Sequence, residues 1–216
     1  MEAVIFTNST HFKKTSMGFF SFLKFLMPDK SRQIEFAPNE YVPSFWEDDH
    51  CQIEVVPSEN KTFIKKQAGQ IGEVASKSRN DYGFTATFER GSMPVTTSSK
   101  EIRVDYFEKT LTRFQFQKAR HVRYDKNEIL NCESGKTKAF GFSNFTIFFD
   151  TEGEFVKNIW IHIGLIISAP QFDLIQNALY TLGEECELIL IDWNSLELFD
   201  LSDRNQIQKY LMGYWK

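Results

Sequence analysis

Hydrophobic positions recur with a helical period near residue 60 and with a strand period further along the chain. Four apolar residues spaced four, three and four apart predict one face of a helix over about 59–76, with Ser58 as its N-cap. These residues are Ile64, Ala68, Ile71 and Ala75. From Tyr82 to Ser168 apolar residues alternate with polar ones, which predicts strands with one face towards water, as in an antiparallel sheet.

The alternating region divides into three short strands followed by two longer ones. The short strands are expected around residues 82–88, 102–106 and 114–116, with a turn at residues 108–110. The longer strands are expected over Lys138–Asp150 and Val156–Ser168, joined by a hairpin turn at residues 151–154. The second of them carries a stripe that is predicted to be buried: Ile159, Ile161, Ile163, Leu165 and Ile167.

The helical period returns near the C-terminus. Ser168 and Gln171 match a capping box, which predicts a helix over about 169–182 that ends at Gly183. A hairpin is expected over Cys186–Asp200 and a closing helix over about 203–212. Together these elements predict an α+β fold, a mainly antiparallel sheet with about three flanking helices.

The length of the chain and the lack of a linker segment predict a single domain over residues 17–216. A chain of 216 residues can bury a sizeable core, and no Pro/Gly/Ser-rich linker divides it. Residues 1–16 carry no periodic apolar face and are interpreted as a disordered or misassigned extension ahead of Met17. The apolar residues from Met17 to Leu26 are either the natural beginning of the chain or a short helix. Such a helix could dock on the body or lie on a membrane, and docking is favoured because its polar face carries only Lys24.

Charge and cysteine usage limit the class of protein. A net charge of −4 gives no reason to expect a nucleic-acid partner, and no apolar run is long enough for a membrane span. Cys51, Cys132 and Cys186 lack paired spacing, which is typical of free thiols in a reducing compartment and predicts a cytoplasmic location. No cofactor motif such as GxGxxG or GxxxxGK[ST] occurs, so no cofactor is expected.

Two features could serve catalysis or ligand binding. His162 lies between Trp160 and Gly164 on the strand face opposite the isoleucine stripe, where it is a candidate general base or a half-buried histidine with a structural hydrogen bond. The 22 phenylalanines favour a sheet-rich core, and the alternative is a small-ligand binder that uses the Phe-rich sheet. An enzyme that pairs His162 with a nearby carboxylate is therefore one alternative function.

A run of metal-ligand residue types precedes the first strand, which is expected over Cys51–Val56. The run is Glu47-Asp48-Asp49-His50-Cys51, with Glu54 beyond it. Adjacent residues seldom share one ion, and the usual HxxxH or CxxC spacing is missing. We therefore interpret the run as a solvated loop and expect no metal site.

Acidic residues dominate the C-terminal part of the chain, and no Lys or Arg interrupts them between residues 184 and 203. Asp192 and Ser195 bracket a tight turn, so Trp193 is expected to project from a hairpin tip. An exposed aromatic beside acids is a plausible anchor for a protein partner. The predicted partner-binding residues are Asp192, Trp193, Glu197 and Asp200. A solvated hairpin flank is the alternative.

The chain resembles immunity proteins of bacterial polymorphic toxin systems in style. The segments that carry the resemblance are Met17–Leu26, Glu187–Ser195 and Leu198–Leu201. The resemblance implies a small cytoplasmic α+β protein that neutralises a toxin by occluding it. The family is diverse, so no functional residue is carried over, and the toxin is not identified.

Overall fold

The computed structural model describes residues 36, 40–46, 49–80, 83–84, 86, 88–124 and 128–216. The expectations for residues 1–16 and for Met17–Leu26 lie outside these residues. So do Glu47, Asp48 and Tyr82.

The described residues form twelve strands and four helices. The strands are β1 (Ser44–Phe45), β2 (Ile53–Pro57), β3 (Arg79–Asn80), β4 (Gly83–Phe84), β5 (Gln117–Lys118), β6 (His121–Tyr124), β7 (Glu128–Asn131), β8 (Thr137–Phe142), β9 (Phe145–Glu152), β10 (Phe155–Ile163), β11 (Leu188–Asp192) and β12 (Glu197–Asp200). The helices are α1 (Lys61–Ser78), α2 (Val104–Arg113), α3 (Ala169–Cys186) and α4 (Arg204–Met212), with short 3-10 helices at Ser58–Asn60 and Thr97–Lys100. None of these helices is long and apolar enough to cross a membrane.

Seven strands form the main sheet in the order β12-β11-β2-β10-β9-β8-β5. Every neighbouring pair in it is antiparallel. A smaller sheet has the order β1-β6-β7, in which β1 and β6 are parallel, and β3 pairs with β4. The predicted α+β fold with a mainly antiparallel sheet is confirmed.

The two faces of the main sheet are covered differently. On one face, called the helix face, α2, α3 and α4 pack on residues such as Val55, Phe149 and Ile161 in the largest core cluster. The opposite face, called the split face, carries two separate clusters. In one, α1 packs on Val56, Ile189, Ile191 and Trp193, and in the other the small sheet packs on Ala139, Phe148 and Trp160. The interval between the two clusters holds the polar residues described below.

Helix α2 replaces the strand and turn that were predicted at residues 102–110. Val104, Phe107 and Leu111 are three and four residues apart, and Phe107 and Leu111 are fully buried against the helix face. Tyr106, which the alternating pattern placed beside them, is 39% exposed. The prediction was wrong because both periods fit this short segment, and burial of Phe107 and Leu111 favours the helix.

Two further strand predictions were also wrong. The segment Lys138–Asp150 is a hairpin, since β8 and β9 pair from Phe142 opposite Phe145. Strand β10 ends at Ile163, after which only Ile166 turns inwards, and Leu165 and Ile167 are 49% and 70% exposed. The buried stripe therefore stops where the strand stops.

Three helix ends differ from the predicted caps. Asn60, not Ser58, is the N-cap residue of α1, and its side chain makes no capping bond. Gln171 donates to Asn144 Oδ1 at 2.8 Å instead of reaching back to Ser168. Gly183 lies inside α3, which continues to Cys186.

Candidate functional site

A cleft of about 310 Å³ opens on the split face above β2 and β10. Its roof is the segment Arg90–Ser98, which we call the strap. The residues that line the floor and walls include Glu54, Val56, Asn158, Ile159 and Trp193. Apolar side chains mixed with a few polar groups are the usual lining of a ligand-binding cleft.

Asn60 holds the C-terminal half of the strap against the body. Its side chain is fully buried and bonds both backbone groups of Val95, donating from Nδ2 to the carbonyl at 2.7 Å and accepting from the N–H at 3.0 Å. Thr96 then caps the 3-10 helix at Thr97–Lys100 by accepting from the N–H of Ser99 at 3.2 Å. The side chain of Asn60 is therefore occupied by the strap, which explains why it does not cap α1.

Arg90 holds the other end of the strap. Its side chain is 2% exposed, and its guanidinium carbon lies 4.6 Å from the centre of the Trp193 ring. Nη1 donates to Glu54 Oε2 and to the carbonyl of Cys51, and Nη2 donates to the same carbonyl, each at 3.3 Å. Charge-assisted bonds are usually about 2.7–2.9 Å long, so this buried cation is held loosely. Burial lowers the pKa of Arg90, against the opposing effect of Glu54.

The guanidinium of Arg90 has N–H groups that have no acceptor among the described residues. Within the described residues Nε is buried and has no hydrogen-bond partner. Nη2 carries two N–H groups and directs one bond to the Cys51 carbonyl. Nε–H and the second N–H of Nη2 lie along one edge of the planar group, which is therefore unfilled.

Trp193 is 1% exposed, so the prediction that it projects from a hairpin tip was wrong. Its backbone N–H donates to the carbonyl of Gln52 at 2.9 Å, which extends the pairing of β11 with β2 beyond Asp192. Strand alternation therefore places its ring on the split face with Ile189 and Ile191. Its Nε1 donates to Glu54 Oε2 at 2.7 Å.

A polar row continues from the cleft across three neighbouring strands. Asp150 on β9 accepts from Asn158 Nδ2 at 3.1 Å and from Thr137 Oγ1 at 2.8 Å. A bulge between Val156 and Asn158 shifts the register, so that Asn158 faces the cleft. At the rim of the cleft, Lys157 Nζ lies 3.1 Å from Glu152 Oε1.

The four predicted partner-binding residues do not form one surface. Asp192 is 4% exposed and accepts from the hydroxyls of Tyr210 and Tyr214 at 3.2 and 3.4 Å. Asp200 is half-buried and lies 3.5 Å from Lys61 Nζ, while Glu197 is exposed. The acidic stretch is also partly neutralised, because Lys100 pairs with Glu187. Whether these residues bind a partner stays a prediction.

His162 lies on β10 on the same face as Trp160, as predicted, but it is exposed and not half-buried. No hydrogen bond joins its ring to a carboxylate in the part of the chain that the structure describes. Its role as a general base therefore stays a prediction, without a partner residue for it.

The interpretation of residues 47–51 as a solvated loop that enters a strand was wrong at its last residue, Cys51. Cys51 is 3% exposed, its Sγ lies 3.6 Å from His50 Nε2, and burial raises the pKa of its thiol. Glu54 belongs to the cleft. Across the described residues no group of three or more His, Cys, Asp or Glu side chains is placed to hold a metal ion.

Arg90 and the strap were missed in the sequence. A lone arginine between Glu89 and Gly91, in a region of Ser and Thr, has the pattern of an exposed loop. Only the tertiary contacts with Glu54 and Trp193 distinguish it from a solvated residue. Neither a hydrophobic period nor a sequence motif identifies Arg90 as part of the cleft.

No protein-family model, curated protein or solved structure matches the chain. The resemblance to immunity proteins therefore gains no support from a relative, and the geometry of the cleft is the main guide to function.

Proposed function

We propose that this protein binds a small ligand in the cleft beneath the strap. The observation that carries the proposal is the loosely held, buried guanidinium of Arg90, which borders the cleft with one edge unfilled. A buried cation without its full set of acceptors is costly, and such exceptions are rare in folded proteins. A ligand that supplies the missing acceptors would remove this cost.

The cleft also has the composition that ligand binding needs. Val56, Met93 and Val95 offer apolar surface, and Asn158 adds an amide. The volume of about 310 Å³ lies at the lower end of the range of roughly 300–1,000 Å³ for ligand pockets. This proposal moves the predicted small-ligand site from the Phe-rich sheet to the strap. Phe148 and Phe149 are fully buried in the core clusters on the two faces of the main sheet, so their rings are not available to a ligand.

A fragment screen by NMR tests the proposal, with the Nε1–H of Trp193 and the Nε–H of Arg90 as reporters. The variant Ser92→Phe places a ring in the cleft from an exposed strap residue, and Glu89→Phe adds the same ring at an exposed residue outside the lining. We expect fragments to shift both reporters in the wild type and in Glu89→Phe but not in Ser92→Phe. Absence of any shift in the wild type, or shifts that persist in Ser92→Phe, would contradict it.

A second candidate is the sequence-based one, a cytoplasmic protein-binding module of the immunity type that occludes a toxin. It is favoured by the edge strand β12, where exposed Glu197 lies beside a groove of about 330 Å³ against α1. The groove is lined by Ile64, Ala68, Leu196 and Leu198 among others. Unpaired strand edges are common sites of association.

The test of this second candidate is a pulldown from the native host followed by binding measurements with the purified partner. Glu197→Arg should weaken binding, and Glu128→Arg, a matched exposed residue on β7, should not. Equal binding of the two variants would remove β12 from the interface.

A further inference from the structure

The unfilled edge of Arg90 has a defined shape. Nη1 and Nη2 both donate to the Cys51 carbonyl, and the remaining N–H of Nη1 donates to Glu54. What remains is the edge made by Nε–H and Nη2–H. These two N–H groups are parallel and match the two oxygens of a planar carboxylate, as in bidentate arginine–carboxylate pairs.

The charges around this edge favour a ligand with a single negative charge. Glu54 accepts from Trp193 at 2.7 Å and from Nη1 of Arg90 at 3.3 Å, so it pairs with one side of the guanidinium and leaves the Nε/Nη2 edge without an acceptor. The other cation in the lining, Lys157, is already paired with Glu152 at the rim. A doubly charged phosphate would therefore lack a second cation, whereas one carboxylate needs only Arg90.

We propose that the ligand is a small carboxylic acid whose carboxylate is held by the Nε/Nη2 edge of Arg90 and whose apolar body packs on Val56, Met93 and Val95. This inference rests on the proposed function of the cleft. It adds the chemical class of the ligand and the group that recognises it.

Access to this edge requires a small movement of the surrounding chain, because Nε is covered. Residues 91–94 are suited to it. Among the described residues they make one hydrogen bond to the body, from the N–H of Gly91 to Gln67 Oε1 at 3.0 Å. The Asn60–Val95 bonds hold the strap on the far side of this segment. A small shift of residues 91–93 can therefore admit the ligand while Arg90 and Val95 keep their hydrogen bonds and Met93 stays in contact with the ligand.

A matched pair of probes, benzoate and benzamide, tests the chemical class on the wild-type protein. The two have the same shape and differ in charge and in the second acceptor oxygen. We expect benzoate to bind at least about tenfold more tightly at pH 7 and to shift the Nε–H resonance of Arg90, because a bidentate charged pair replaces a single neutral bond. Inorganic phosphate is expected to bind more weakly than benzoate.

Variants identify the recognising group. Arg90→Lys keeps the positive charge but loses the two-pronged edge, so the preference for benzoate should fall to about threefold or less. Arg113→Lys, the same exchange at an exposed arginine of α2 outside the lining, should keep the preference. If Arg90→Lys does not fold, the comparison of benzoate with benzamide on the wild type decides the matter alone.

The possible results separate this inference from the proposal on which it rests. Equal affinity for benzamide and benzoate, tighter binding of phosphate, or a preference that persists in Arg90→Lys overturns the carboxylate assignment and leaves the cleft a ligand site. If no fragment of any class shifts the reporters, both are overturned.

Discussion

The indole Nε1 of Trp193 donates to Glu54 Oε2 at 2.7 Å, and the same carboxylate oxygen accepts from Arg90 at 3.3 Å. One largely buried carboxylate on β2 thus joins the end of β11 to the strap. Because Arg90 also lies over the Trp193 ring, the three side chains form a unit in which loss of any member leaves another without its partner.

Removal of the Glu54 carboxylate should therefore cost more than one ordinary hydrogen bond. We expect Glu54→Ala to lower the free energy of unfolding by about 3–5 kcal/mol, since a buried guanidinium is left without its counter-charge. Exposed Glu197→Ala should change it by less than about 0.5 kcal/mol. Urea unfolding followed by circular dichroism measures both. Similar midpoints for the two variants would show that the Arg90–Glu54 contact contributes little.

The three cysteines should be inert in the folded protein. All are free and buried, and burial raises the pKa of Cys132 and of Cys186 to about 11 and that of Cys51 above its usual value. Because the thiolate is the reactive form, we expect negligible reaction with a disulfide reagent such as DTNB at pH 8, and three equivalents once the protein is unfolded in urea. Rapid reaction of one equivalent in the native state would show an accessible thiolate.

Stability should fall at alkaline pH through the pair of tyrosines that bind Asp192. Burial and the nearby Asp192 carboxylate raise the pKa of Tyr210, and burial raises that of Tyr214. A folded-state pKa above the unfolded value of about 10 means that the unfolded chain releases these protons first. The contribution is fully present below pH 10 and is lost as the pH rises above it.

Urea midpoints between pH 8 and pH 11 measure this loss. The double variant Tyr210→Phe/Tyr214→Phe should start less stable but show a shallower decline above pH 10. The buried thiols leave some decline in both proteins. An unchanged slope in the double variant would assign the alkaline loss to other groups.

The sequence was sufficient for elements whose period is long and unambiguous. Helices α1, α3 and α4 fall within a few residues of their predicted positions, because each buries a face that only the helical period fits. The turn between β9 and β10 also lies where it was predicted. The sequence did not predict helix α2, because its period is ambiguous: Val104 belongs to both an alternating and a helical pattern.

The candidate site depended on contacts that no local pattern records. Trp193 was placed at a hairpin tip because residues 192–195 resemble a turn, whereas the bond from its N–H to Gln52 continues the strand by one residue. Arg90 lies in the cleft because of Glu54, which is 36 residues earlier in the chain. Such long-range pairings follow from the strand order, which the sequence did not predict.

Two glycines in helices provide a matched test of the packing. A Cβ at Gly183 in α3 would lie 2.2 Å from the backbone carbon of Leu201, whereas a Cβ at Gly69 in α1 would meet nothing within 4 Å. Alanine raises helix propensity at either position, so Gly69→Ala should stabilise the protein by about 0.5–1 kcal/mol. At Gly183 the clash is with backbone and cannot be relieved by a rotamer, so Gly183→Ala should destabilise it by about 1–3 kcal/mol despite the same gain in propensity. Thermal unfolding of the two variants beside the wild type measures the difference in sign. If both variants were stabilised, α3 would not pack on Leu201 as closely as described, and Gly183 would be a dispensable residue of that helix.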